Sequence, residues 1–417
     1  METEAAELVL AGGHVIDPAG GVDGVADVAL GGGRVIAVGP GLATGAAQVI
    51  DVSGHYVTPG LIDLHVHAFD GHRNSVLSLN PIINTFSSGV TTIVDAGTSG
   101  WKDFHEFKSR IIDHAKIRIL AFVNIVGAGM YGPWEDDPAE LRPGPAAAIA
   151  QEYADVVVGI KTAHYWIKRD FDAEHPPWLA VDSAVEAGEL AGVPVMTDFF
   201  PWKEERRYSD LILHHLRPGD IHTHVFAQQF PIVDDQGKVR DHLWQARERG
   251  VIFDLGHGSA SFWFQNAAPA VRDGFVPDSI STDLHTGNLN GPVIDLQTAM
   301  NKILNLGVPL ADVIARVTVA PAREMHRPEL GTLAPGAEAD VAVFALDRGD
   351  FGYLDSGRVR LAGDRRLRCR LTLRAGEVVL NPDGLGRPTW QEQPESRAEV
   401  ALLAQSGDAP AGSAVAP

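Results

Sequence analysis

The chain has 417 residues, 34 basic against 54 acidic side chains for a formal net charge of −20, and 17 histidines beside a single cysteine. That charge argues against a polyanion such as DNA or RNA as partner, and one cysteine excludes an internal disulfide framework and leaves histidine and carboxylate as the metal-binding chemistry. No stretch is apolar for long enough to span a bilayer, and the acidic start Met1-Glu2-Thr3-Glu4 lacks the layout of a signal peptide, so the expectation is a cytoplasmic protein with no membrane partner.

Residues 1–57 read as short strands between glycine turns: 8–10, 14–16, 27–30 and 34–38, with Gly12-Gly13 and Gly31-Gly32-Gly33 between them. From 58 to 328 apolar strand-like runs alternate with helical stretches. The runs are 61–67, 90–96, 118–126, 156–162, 193–199, 220–226, 251–256 and 279–283. Eight such runs in about 270 residues are what a (β/α)8 barrel needs, and its chemistry sits where the strands end.

The first run, opened by Pro59-Gly60, ends in His65-Val66-His67. Residues i and i+2 of a strand point to one side, so both imidazoles can meet one cation, and zinc or a similar borderline ion suits them. The alternative is a pair of polar residues entering a loop. The fourth run delivers Lys161, whose amine is costly to bury charged. A neutral amine there can take up carbon dioxide as a carbamate that bridges two cations; the alternative is a lysine reaching back to water. The sixth run carries His222 and His224 on one side, as two ligands or as a ligand and its neighbour. The eighth ends at Asp283, which can touch a metal and accept a proton from water.

Helical composition marks 178–191 and 239–249, and Leu296, Met300, Ile303 and Leu304 share one face before Gly307. Pro309 opens another helix with Leu310, Val313, Ile314 and Val317 on one face. Strand texture returns at 339–346, 367–373 and 377–380, where Cys369 reads as a buried thiol. The two β-rich ends, 1–57 and 329–389, can pair into one small sheet domain, and 390–417 reads as a mobile tail.

Pro59-Gly60-Leu61-Ile62-Asp63-Leu64-His65-Val66-His67, Gly89 through Gly97, Gly159-Ile160-Lys161, Gly256-His257-Gly258 and Ser281-Thr282-Asp283 together resemble the amidohydrolase superfamily. The likeness is to its dihydroorotase-like amidohydrolase and deacetylase branch, and it runs on through Gly331 to Asp340, almost the whole chain except the tail. The resemblance implies a (β/α)8 barrel with an appended β-sandwich. It also implies hydrolysis of an amide, cyclic amide or related ester at one or two divalent ions, zinc first and manganese or iron as alternatives. By position it assigns His65, His67, Lys161 (as N6-carboxylysine), His224 and Asp283 to the metal site, with Asp283 also the proton shuttle. Where the branch usually ends strand five in histidine, this chain has Asp198. Asp198 as a ligand, a weakened second site, or a relative that has lost hydrolysis and only binds partners all follow from that difference.

The resemblance further places His257 and Gly258 over the substrate, and His164 and His222 join them as candidate substrate contacts. Tyr165, Trp166, Phe199, Phe200 and Trp202 give the mouth an aromatic character. The expected partner is a small molecule, with a homo-oligomer left open. Deamination or a reversed, ring-closing reaction is the enzymatic alternative.

Overall fold

The computed structural model describes residues 6–72, 77–130, 132, 136–163, 165, 170–201 and 203–392. His164, Trp166, Trp202 and most of the C-terminal tail lie outside them.

The N-terminal stretch forms β1 (Leu8–Asp17), β2 (Val22–Gly31), β3 (Arg34–Gly39), β4 (Gln48–Asp51) and β5 (Tyr56–Pro59). The predicted strands 8–10 and 14–16 are one strand, because the register against β2 shifts between Leu10 and Gly13 and the chain passes Gly12-Gly13 as an irregularity rather than a turn. The parallel sheet follows: β6 (Leu61–Val66), β7 (Val90–Gly100), β8 (Arg118–Asn124), β9 (Val157–Thr162), β10 (Val195–Thr197), β11 (Ile221–His222) and β12 (Ile252–Phe253). The C-terminal part supplies β13 (Val341–Leu354), β14 (Arg360–Arg374) and β15 (Glu377–Leu380).

The two ends of the chain meet where Val341, Ala342, Val343 and Phe344 of β13 pair antiparallel with Pro59, Thr58, Val57 and Tyr56 of β5. The resulting mixed sheet runs β15-β14-β13-β5-β1-β2-β3, with β4 beside β1. Its apolar face gathers Leu10, Val28, Val57, Val343 and Leu371 into one core. Burying each such side chain contributes about 1.5–3 kcal/mol, so the two ends of the chain hold each other.

Among the described residues the second sheet has seven strands in sequential order, all parallel. Ile62 and Leu64 of β6, Leu120 and Phe122 of β8, Met196 of β10 and Ile221 of β11 form one cluster, as on the inner face of a curled sheet. Residues 279–283 are not a regular strand. Parallel bridges at Asp254–Ser279 and Val66–Leu284 instead set this segment against both edges of the sheet. Its side chains replace ladder bonds: Asp63 Oδ1 accepts from the Thr282 backbone N–H at 3.0 Å, and Asp63 Oδ2 from the Thr282 hydroxyl at 2.6 Å.

The helix Leu296–Asn305 starts where Asp295 Oδ1 accepts the Thr298 N–H at 2.7 Å. It buries the predicted Leu296, Met300, Ile303 and Leu304, and also Asn301, which bonds to Leu367 of β14, and Lys302, which meets His257 and Pro292. No helix among the described residues is long and apolar enough to cross a membrane.

Candidate metal centre

His65 sits within β6 and His67 one residue past its end, both almost wholly buried. The Nε2 atoms of His65 and His67 stand 3.5 and 3.1 Å from Asp283 Oδ1. His65, His224 and Asp283 each offer a ligand atom, and these atoms lie within 4.8 Å of one another. Lys161 Nζ is 3.2 Å from His65 Nε2, and Asp198 Oδ2 is 3.4 Å from His224 Nε2. Six residues from five separated stretches of sequence therefore converge on one point.

Which nitrogen each imidazole presents follows from hydrogen bonding. The Thr223 hydroxyl donates to Asp254 Oδ2 at 2.7 Å, so its oxygen receives His65 Nδ1–H at 3.0 Å and leaves Nε2 as the bare lone pair. His224 donates Nδ1–H to the Gly256 carbonyl, which can only accept, and its Nε2 faces Asp198. His67 Nδ1 engages the Thr98 hydroxyl at 2.9 Å. Imidazoles anchored through Nδ1, with Nε2 of His65 and His224 turned towards two carboxylates, are the donor set a divalent cation needs once it displaces the Nε2 proton of His224.

Burial, reinforced by the neighbouring Lys161, holds His65 well below the usual histidine range, in the form that can bind metal. Burial likewise lowers Lys161, partly offset by Asp198 and Asp283. For His224, burial is overcome by the Asp198 carboxylate, which raises it to about 9. Asp283 is held below the ordinary carboxylate range: burial opposes this, but His65 and His67 prevail.

Local backbone serves the same end. His224 and Asp283 have φ of 64° and 52°, left-handed values that cost a residue with a Cβ about 1–3 kcal/mol and persist where surroundings enforce them. Gly97 has φ of 80°, and a Cβ there would meet Lys161 Cβ at 2.6 Å. Gly258 has φ of 56°, and a Cβ there would meet Asp283 Oδ2 at 2.8 Å. Glycine is required at both.

Above these groups opens a cavity of about 280 Å³ whose lining includes Asp198, His224, Asp283, His285, Gln229 and Ser259, with Met130 and Phe200 as its apolar part. The Gly287 N–H donates to His285 Nδ1 at 3.0 Å, so His285 carries its proton on Nε2, 3.3 Å from Ser259 Oγ.

Two expectations need correction. His222 does not share a side with His224: β11 ends at His222, the left-handed turn at His224 resets side-chain direction, and the His222 ring lies against Tyr208, Phe230 and Phe253. Neither of its ring nitrogens has a hydrogen-bond partner among the described residues, and burial lowers it to about 3. The His257 ring is engaged within the protein as well. Its Nδ1 donates to the Gly258 carbonyl at 3.0 Å and its Nε2 accepts from Lys302 Nζ at 2.6 Å, so no ring nitrogen remains for a ligand. His164 lies outside the described residues. The orienting groups Thr98, Thr223 and Asp254, and the wall residue His285, were not singled out from sequence; only the Asp283-Leu284-His285 spacing pointed towards the last.

No family model matches the chain. A deacetylase of Enterococcus faecalis is 33% identical over 355 residues, spanning 84% of this chain and 93% of that protein. The crystal structure of an adenine deaminase is similar with a TM-score of 0.80 and 29% identity, over 90% of this chain and 100% of that one. That of a dihydroorotase has a TM-score of 0.77 and 29% identity, over 90% and 99%.

Proposed function

The chain belongs to the amidohydrolase superfamily and is a metal-dependent hydrolase of carbon–nitrogen bonds; from that premise we propose that it is a deacetylase acting on a small N-acyl compound. The observation that carries this reading is the convergence of His65, His224 and Asp283, with ligand atoms within 4.8 Å, beneath a cavity of small-molecule size. In this reading the parallel sheet and residues 279–284 form a (β/α)8 barrel, and the mixed sheet is an appended β-sandwich.

His65, His67, His224, Asp283, Asp198 and Lys161 are the residues that would hold one or two divalent ions. Zinc suits the imidazoles, and the Asp198 carboxylate widens the choice towards manganese or iron. Lys161, as N6-carboxylysine, would bridge a pair of ions. A bound cation supplies Lewis acidity, which acidifies water and polarises a carbonyl.

The protein's own groups do the rest. Asp283, beside His65 and His67 and on the cavity wall, takes the proton of the attacking water and returns it to the departing nitrogen. His285 Nε2–H, Ser259 and Gln229 line the cavity as neutral donors that orient the acyl compound, while Met130 and Phe200 exclude water from its apolar part. Likeness to the adenine deaminase favours a second reading, hydrolysis that releases ammonia, on the same groups.

Turnover of N-acyl amino acids, acylated hydroxy acids, cyclic ureides and aminopurines, each with and without added metal, tests the reading. Metal-dependent release of an acid and an amine from the N-acyl set is expected. Ammonia release from the aminopurines alone would replace deacetylation by deamination.

A further inference from the structure

Lys302 is a lysine with 0% exposure in the helix Leu296–Asn305, and neither the metal centre nor the proton transfer uses it. Its Nζ donates to His257 Nε2 at 2.6 Å and to the Pro292 carbonyl at 2.8 Å, and it lies 5.6 Å from the centre of the Phe262 ring. His257 in turn stacks on Phe262 at 4.6 Å. An imidazole whose Nδ1–H is spent on the Gly258 carbonyl has one lone pair left, and the lysine takes it.

The segment so anchored borders the reacting groups. The backbone N–H of His257 donates to Ser281 O at 3.1 Å and that of Gly258 to Thr282 O at 2.9 Å, the two residues before Asp283. Gly258 lies so close to the Asp283 carboxylate that a Cβ would stand 2.8 Å from it, and Ser259 and Ser261 beyond it line the cavity. The carbonyl held by Lys302, that of Pro292, belongs to the stretch that follows Asp283 and His285. One amine thus ties together the chain on both sides of the proton-transferring carboxylate.

We infer that Lys302 is a positioning residue: through His257 it holds residues 256–261 against Asp283, and so sets the orientation of that carboxylate and the shape of the adjoining cavity wall. The inference rests on the hydrolase reading for its kinetic consequence but not for its structural one. Among the described residues no carboxylate forms an ion pair with this amine, so its two hydrogen bonds, to His257 and to Pro292, are what offset the cost of burying it.

Lys302→Met keeps the apolar stem against Phe262 and deletes the amine. Hydrogen exchange of the variant, read segment by segment, should quicken about tenfold at the His257 and Gly258 amides while β6 and β7 stay protected. Turnover should fall about tenfold or more in kcat with KM within about threefold and metal content unchanged, the pattern of a misplaced catalytic group. His257→Phe should show the same loss, and the double variant no more than either single one. Unchanged exchange at 257–258 overturns the inference whatever the substrate. Faster exchange with full kcat, losses that multiply in the double variant, or a fall in kcat that tracks lost metal overturn its link to Asp283. A protein that fails on every substrate but shows the exchange change leaves Lys302 as the anchor and refutes only the hydrolase reading.

Discussion

The imidazoles at the metal centre are aimed by groups that never touch a substrate. Thr223→Val preserves volume but removes the oxygen that accepts His65 Nδ1–H, so the ring loses its fixed tautomer. Competition with a chromogenic chelator should then report metal affinity weaker by about 10–100-fold; affinity equal to wild type would mean that packing alone orients His65. Asp283→Asn tests the other half of the site. It keeps an oxygen for the metal but cannot take up a proton, so kcat should drop by about 100-fold or more while most metal is retained, and near-normal turnover would remove Asp283 from the mechanism. At this scale the convergence of His65, His67, Lys161 and Asp283 was legible, because each is a ligand-type residue at the end of a strand-like run. Thr223, 158 residues from His65 in sequence, was not. A hydroxyl acquires its role only through partners that folding supplies. His222 and His257 mislead for the same reason: their types suit the site, but a two-residue strand and a buried lysine turn them elsewhere.

Among the elements, those with apolar alternation were readable and those with charged faces were not. The inner half of β14 was found as 367–373, but Arg360, Arg365 and Arg366 and the facing Asp347, Arg348 and Asp350 hid the outer half of the β13–β14 hairpin, where Arg348 pairs with Asp364 at 3.3 Å. The short strands β10, β11 and β12 were overpredicted, since residues past their ends bond through side chains and turns instead of the ladder. Cys369, read from alternation as buried, is 6% exposed on β14, and burial pushes its thiol to about 11. A raised thiol pKa means less thiolate at a given pH. At pH 8 the ionised fraction falls by about 100-fold relative to a thiol of pKa 9, before access is considered. Native protein should therefore resist a thiol-specific reagent at pH 8 and react fully once unfolded; fast native labelling would show that this part of the hairpin opens.

For the molecule as a whole, buried cations leave a mark on stability. Burial lowers Lys302 from 10.5 to about 7, with Asp355 and Asp295 offsetting only part of the effect. Between those values the unfolded chain holds the proton and the folded chain sheds it, so stability from this group rises as pH goes from about 7 to about 10, and the full penalty applies below pH 7. Lys302→Met should flatten the rise of Tm with pH between 7 and 9. An unchanged slope would assign the dependence to other groups.

Metal acts in the opposite sense from such a penalty, since an ion held only by the folded state stabilises it, by an amount that grows with the logarithm of its concentration over Kd. The most direct test of the central claim is to titrate metal-free protein with zinc while following release of amine from an N-acyl substrate. The account predicts no turnover without metal, recovery that saturates at one or two equivalents per chain, and no recovery in the Asp283→Asn variant although it binds the ion. Turnover indifferent to zinc, or full binding of zinc with no hydrolysis of any N-acyl compound, would contradict it.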